Sequence, residues 1–384
     1  MPSIKIKIAP AVLDWILGVA SSEGADSAVL SLFRQWKSGV KIPTFAQIED
    51  FGKKAHVPLG YFFLKTPPDE PIPIMDCRTI GSTAKTRPSR SLMDTYYQMA
   101  SIQEWMRDYL IDNGRGKLPF AGSAKKEKNP AKIAASIRSV TGMADDWYTG
   151  IETTAFNAVR TFLEDIGILV LQNGIVGENT HRPLRLDEFR AFTLADDYAP
   201  LVFINSNDTE GGKVFSLLHE AAHIWLGLHS FYNDNSGLVF NISPLETLCN
   251  ATAAELLVPG RSFIDEWNRR ENQNVRDKIK AVARCFKCGV TTVARRALDN
   301  GYIEYNEYQK IVIDQAGGAV ARKKASGKGD YYKTARSRYG EPLILALDNS
   351  IKTGKTTYTE AFRLANKTRE TFDTLVSKIR GGVW

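Results

Sequence analysis

The chain has 384 residues, 43% of them hydrophobic and 24% charged, with a formal net charge of +7. That is an ordinary globular composition with length for two or three domains. No run approaches the roughly 18 apolar residues of a membrane span. The start, MPSIKIKIAPAVLDW, lacks a signal peptide's apolar core and cleavage site, and Cys77, Cys249, Cys285 and Cys288 are too scattered for a disulfide framework. A cytoplasmic protein is expected. The positive excess clusters locally at Lys125–Lys128, Arg322–Lys328 and Lys333–Arg338, which permits nucleic-acid contact but serves solubility equally well.

Val12, Leu13, Ile16 and Leu17 repeat at helical spacing, and Ala28 to Trp36 makes a second run closed by Ser38-Gly39. Pro43-Thr44 opens a third over Phe45 to Lys54, with Thr44 and Gln47 in a capping-box arrangement. Pro58 starts a short apolar piece ending at Leu64. Thr66 to Pro73 is a Pro-rich, extended linker, followed by a polar tract to Arg90 expected to loop over a surface. A long amphipathic helix should run from about Leu92 to Ile111. Lys117 to Asn129, basic and glycine-containing, reads as a mobile loop. Helical patterns resume over Ala131–Thr141 and Ala155–Asp165. Ile168–Leu171 and Leu201–Ile204 read as short buried strands. Phe189-Arg-Ala-Phe-Thr193 alternates, which fits either a sheet edge facing a bound peptide or another core strand.

The chemistry concentrates in FSLLHEAAHIWLG, residues 215–227, an H-E-x-x-H inside an apolar helix. Residues i and i+4 share a helix face, so His219 and His223 can point at one metal, with Glu220 beside them as a base. A core helix gains nothing from these groups unless something pairs with them, because unpaired buried polar groups cost about 1–3 kcal/mol each. Catalytic zinc usually has three protein ligands and one open position. The next helical stretch, Pro244 to Val258, offers Glu246, with Asn250 on the same face and small residues that allow close approach. Glu246 is the expected third ligand. The rival carboxylate, Glu255, falls on a different side.

These residues, with Phe189-Arg-Ala-Phe192, Ala199 to Asn205 and Ala253 to Pro259, resemble the ImmA/IrrE metallo-endopeptidases in order and spacing. The resemblance implies a gluzincin-like α+β protease core, zinc held by His219, His223 and Glu246, and Glu220 as catalytic base. It also implies a protein substrate of the helix-turn-helix repressor or antitoxin-like class. Residues 1–65 resemble an XRE-type helix-turn-helix domain through Val12-Leu13-x-Trp15, Trp36 to Gly39, Pro43 to Glu49 and Val57 to Leu64. The stretch between Trp15 and Trp36 is shorter than that pattern and offers only Arg34 and Gln35 as obvious DNA contacts. Weak DNA binding or partner docking is therefore expected of it.

The expected order is a helical N-terminal domain (1–65), a linker (66–90), the protease core (91–265) and a helical C-terminal region (266–384). Ile279 to Leu298 reads as helix, turn at Gly289, helix, resembling a helix-turn-helix-like pair. There Cys285-Phe-Lys-Cys288 lacks the second ligand pair of a zinc ribbon, and Arg295 and Arg296 serve packing better than phosphate. Thr353-Gly-Lys-Thr356 resembles a P-loop, but the required glycine is Asn349, so a basic loop between helices is expected. Tyr198, Arg190 and His229 are the candidate oxyanion stabilisers. Two functions remain: a zinc endopeptidase acting on a regulatory partner, or a non-proteolytic regulator or toxin–antitoxin component with a structural metal.

Overall fold

A computed structural model describes residues 4–22, 26–70, 88–232, 243–321 and 330–382. They form a mixed α+β, helix-rich structure that divides into two compact units. No helix among them is long and apolar enough to cross a membrane.

The N-terminal unit contains α1 (Pro10–Ser22), α2 (Ser27–Lys37), α3 (Phe45–Ala55) and a 3-10 turn over Leu59–Phe63. Val12, Ile16, Phe33, Trp36, Ile48, Phe51 and Phe62 fill its own core, with Phe33 stacked on Phe51 at 4.8 Å. The side chains of Thr44 and Gln47 cap α3 reciprocally, as their spacing predicts. Two orphan amides of the helix start are thereby satisfied. Residues 71–87, which hold the end of the Pro-rich linker and most of the polar tract, lie outside the described residues.

In chain order the second unit contains α4 (Arg90–Asp112, from Tyr97 onward), α5 (Pro130–Thr141) and α6 (Ala155–Asp165). Five strands follow: β1 (Leu169–Asn173), β2 (Ile175–Val176), β3 (Asn179–Pro183), β4 (Ala191–Leu194) and β5 (Leu201–Asn205). Then come α7 (Glu210–Leu226), β6 (Ser230–Tyr232) and α8 (Pro244–Leu257). The central sheet has the order β1-β5-β4-β6, parallel between β1 and β5 and antiparallel elsewhere. β2 and β3 form a separate hairpin. One sheet face, with Val170, Ala191, Val202 and Ile204, joins the apolar core built around α7. Phe192 and Phe203 stack at 5.1 Å outside that cluster.

Of the two readings of 189–193, the core strand holds and the sheet edge does not: β4 is hydrogen-bonded to β5 on one side and β6 on the other, and its four residues are all buried. The apparent alternation came from Arg190, which precedes the strand and pairs with Asp208 at 2.6 Å. Nor is 117–129 a mobile loop. Gly122 and Ala124 donate their amides to the carbonyls of Ile224 and Trp225 (2.9 and 2.8 Å), and Phe120 stacks on Trp225 at 4.5 Å. The segment thus supplies the Trp225 carbonyl with a donor at the end of α7 and gives Ile224, which also accepts the Gly227 amide, a second one. Gly122 and Gly227 permit this approach, since a Cβ on Gly227 would lie 3.0 Å from the Gly122 Cα.

The helices α9 (Gly260–Asn268), α10 (Val275–Cys285), α11 (Val290–Asp299) and α12 (Tyr305–Ala321) extend the same core as far as Ile311. Cys285 and Cys288 pack against that core. Arg295 pairs with Asp299, and Arg296 with Glu255 and the Val258 carbonyl. The last helices are α13 (Tyr331–Tyr339), which packs along β1, α14 (Glu341–Lys352), α15 (Tyr358–Ala365) and α16 (Arg369–Gly381). The P-loop-like segment follows helix α14 instead of a strand. Its Thr356 is buried, bonded to Ser350 at 2.7 Å and Trp105 at 3.2 Å, and no phosphate cradle results.

Candidate metal centre

Helix α7 starts at Thr209, whose hydroxyl accepts the Gly212 amide, and ends at Gly227 in the left-handed conformation. Between them every residue from Ser216 to Leu226 is buried, so the helix runs through the core with its polar triplet inside. Its first turn meets the α10–α11 turn backbone to backbone: a Cβ on Gly211 would sit 2.8 Å from the Gly289 nitrogen. Helix α8, capped by Ser243, packs alongside α7 with Thr252 and Ala253 buried. The small residues let it come close enough to deliver Glu246 to the histidines.

The expected ligands converge. The Nε2 atoms of His219 and His223 are 3.1 Å apart, and the Glu246 carboxylate lies 3.1 Å from the first and 3.5 Å from the second. Three ligands about 2.0–2.1 Å from a shared tetrahedral zinc would be about 3.3–3.4 Å from one another. The donor set therefore fits zinc in chemistry and in spacing, and it is the metal-ligand cluster found among the described residues. His219 Nδ1 is 2.9 Å from the Asn250 Oδ1, an acceptor that keeps a proton on Nδ1 and leaves Nε2 facing the cluster. Of the three residues, Glu246, with its side chain 12% exposed, is the one that reaches solvent.

The electrostatics favour a bound positive charge. Burial works against the Glu246 carboxylate, yet hydrogen bonds and charge interactions with His219 and His223 hold it well below the usual carboxylate range. Burial also works against protonated His223, and the neighbouring Cys249 and Glu246 outweigh it, raising the ring well above its ordinary value. Both shifts favour positive charge at this place, and a divalent ion there would supply it more strongly than a proton.

Glu220 is fully buried on the same helix. Its Oε2 accepts the hydroxyls of Thr193 (2.6 Å) and Ser230. Glu255 stands apart, paired with Arg296. Of the oxyanion candidates, Arg190 is engaged by Asp208 and Tyr198 lies under the Lys117 ammonium. His229 accepts the Ala195 amide at Nδ1 (3.1 Å), so its proton sits on Nε2, and burial lowers its pKa and favours the neutral ring. Thr193 and Ser230 were not singled out by sequence reasoning. The one signal was a hydroxyl residue in an otherwise apolar strand, which β-propensity explains as readily.

Residues 163–298 match the model of the IrrE N-terminal-like domain, a zinc-dependent metallopeptidase family. The match runs from within α6 to within α11 and so contains the whole central sheet, both helices that carry the cluster and every residue of it. Residues 339–378 match a domain of unknown function (DUF8813) that takes in α14 and α15 and most of α16. No curated protein matches the chain.

Proposed function

We propose that the chain is a zinc-dependent endopeptidase that hydrolyses a peptide bond in a regulatory protein, of the helix-turn-helix repressor or antitoxin-like class. The observation that carries this reading is the convergence of His219, His223 and Glu246 at tetrahedral spacing, with the Glu220 carboxylate on the same buried helix turn. Zinc bound there would supply a Lewis acid for the substrate carbonyl and bring the pKa of a water toward neutrality. Glu220 takes the proton of the attacking water and returns it to the leaving amine. Asn250 fixes the tautomer and plane of His219. His229, neutral with its proton on Nε2, is the best-placed of the three candidate donors to a developing oxyanion in protonation state.

The N-terminal unit is proposed as a recognition element for the partner, with weak, salt-sensitive DNA contact through the exposed Arg34 on α2 as its lesser role. The test is incubation of zinc-loaded protein with a cell lysate, followed by mapping of new protein N-termini. The reading expects a small set of cuts that vanish with chelator. A set of termini identical with and without chelator would refute it in favour of a regulator with a structural metal.

A further inference from the structure

Thr193 on β4 and Ser230 on β6 stand directly opposite one another in an antiparallel pair. Cross-strand partners project from the same sheet face, and this face looks onto α7, where both hydroxyls donate to a single atom, Glu220 Oε2. The Thr193 hydroxyl also lies 3.3 Å from the Glu220 main-chain carbonyl, tying strand to helix at that residue. Thr193, Ser230 and Glu220 are all buried, and Glu220 Oε1 has no hydrogen-bond partner among the described residues. Packing alone does not explain the asymmetry, because a buried carboxylate oxygen left without a donor is costly.

We propose that Thr193 and Ser230 are positioning residues that clamp the Glu220 carboxylate and reserve Oε1 as the oxygen that exchanges protons with water and the leaving amine. A carboxylate oxygen has two lone-pair sites, and two donors occupy both on Oε2. Only Oε1 retains acceptor capacity. A free glutamate rotates about three bonds, whereas two donors on adjacent paired strands hold the carboxylate plane in one orientation. Such pre-orientation lowers the barrier of a proton transfer. The inference rests on Glu220 being the base.

The test uses the full chain with two readouts. The Glu220 carboxylate stretch is isolated as the infrared difference between wild type and Glu220→Gln in metal-free protein. Then kcat and KM are measured on the internally quenched peptide that zinc-loaded wild type cuts fastest in a random library. Thr193→Val and Ser230→Ala should each shift the band and lower kcat about tenfold or more, the scale of a hydrogen bond to a charged group. KM and zinc content should hold. Thr193→Ser should restore both readouts, and neither substitution should reduce activity further in Glu220→Gln. An unmoved band in both variants overturns the clamp, and so does a moved band with wild-type kcat. If wild type cuts no peptide, the protease reading fails instead, and the band still decides whether the hydroxyls hold the carboxylate.

Discussion

Removing the Asn250 amide tests how α8 would tune the candidate metal centre without supplying a ligand from that position. His219 is fully buried and its Nδ1 is 2.9 Å from the Asn250 Oδ1. Asn250→Ala withdraws that acceptor, and a buried donor deprived of its partner costs about 1–3 kcal/mol. Loss of such an outer partner of a ligating histidine typically weakens metal binding about 10- to 100-fold, or about 1.4–2.8 kcal/mol. Competition with a chromophoric chelator at neutral pH should therefore show a zinc Kd weaker by one to two orders of magnitude in Asn250→Ala. Asn250→Asp, which keeps an acceptor at the same reach, should bind at least as tightly as wild type. An Ala variant with wild-type affinity would refute the assignment of the His219 tautomer to this hydrogen bond.

Chelation should expose a pH dependence that zinc suppresses. Glu246, held below its ordinary 4.5, adds stability above that value and loses it as pH falls through the depressed one; His223, raised above 6.5, adds stability below 6.5 and loses it as pH rises through the raised one. Metal-free protein should thus melt progressively lower as pH rises above 6.5 through the raised His223 value, and zinc-loaded protein should not; parallel profiles would contradict this. Phe120→Ala removes a buried ring stacked on Trp225 and should cost about 3–5 kcal/mol in denaturant unfolding, whereas a truly mobile 117–129 segment would make it nearly neutral. Gly211→Ala should destabilise by about 1–3 kcal/mol, because its Cβ meets the Gly289 backbone. A gain of the kind alanine gives in an open helix would show that contact to be absent.

Much of the centre was legible because helical periodicity is strict. The i, i+4 pair His219 and His223, and the shared face of Glu246 and Asn250, follow from the spacing once both stretches are helices. The Pro244 start and the Thr44–Gln47 cap were equally local signals and fall where expected. What could not be read depended on pairing across the chain. β4 is interior only because β6, three residues long, adds to it from beyond α7. The 117–129 segment is polar and rich in turn residues, and it is fixed by main-chain amides, which carry no sequence signature. Thr193 and Ser230 lie 37 positions apart and acquire meaning only when the register sets them opposite one another.

The central claim, that Glu220 is the base of a zinc peptidase, is tested most directly by Glu220→Gln. Glutamine keeps the size of the side chain and can still accept the Thr193 and Ser230 hydroxyls, but it cannot take the proton of water. Wild type and variant are each co-expressed with candidate partner proteins, purified, assayed for zinc and examined by intact-mass analysis. Equal zinc, about one per chain, with a partner cleaved by wild type and left whole by the variant, on the scale of a 10²–10⁴-fold or greater loss, is the predicted result. A partner bound alike by both proteins and cut by neither, or cut equally by both, would contradict it.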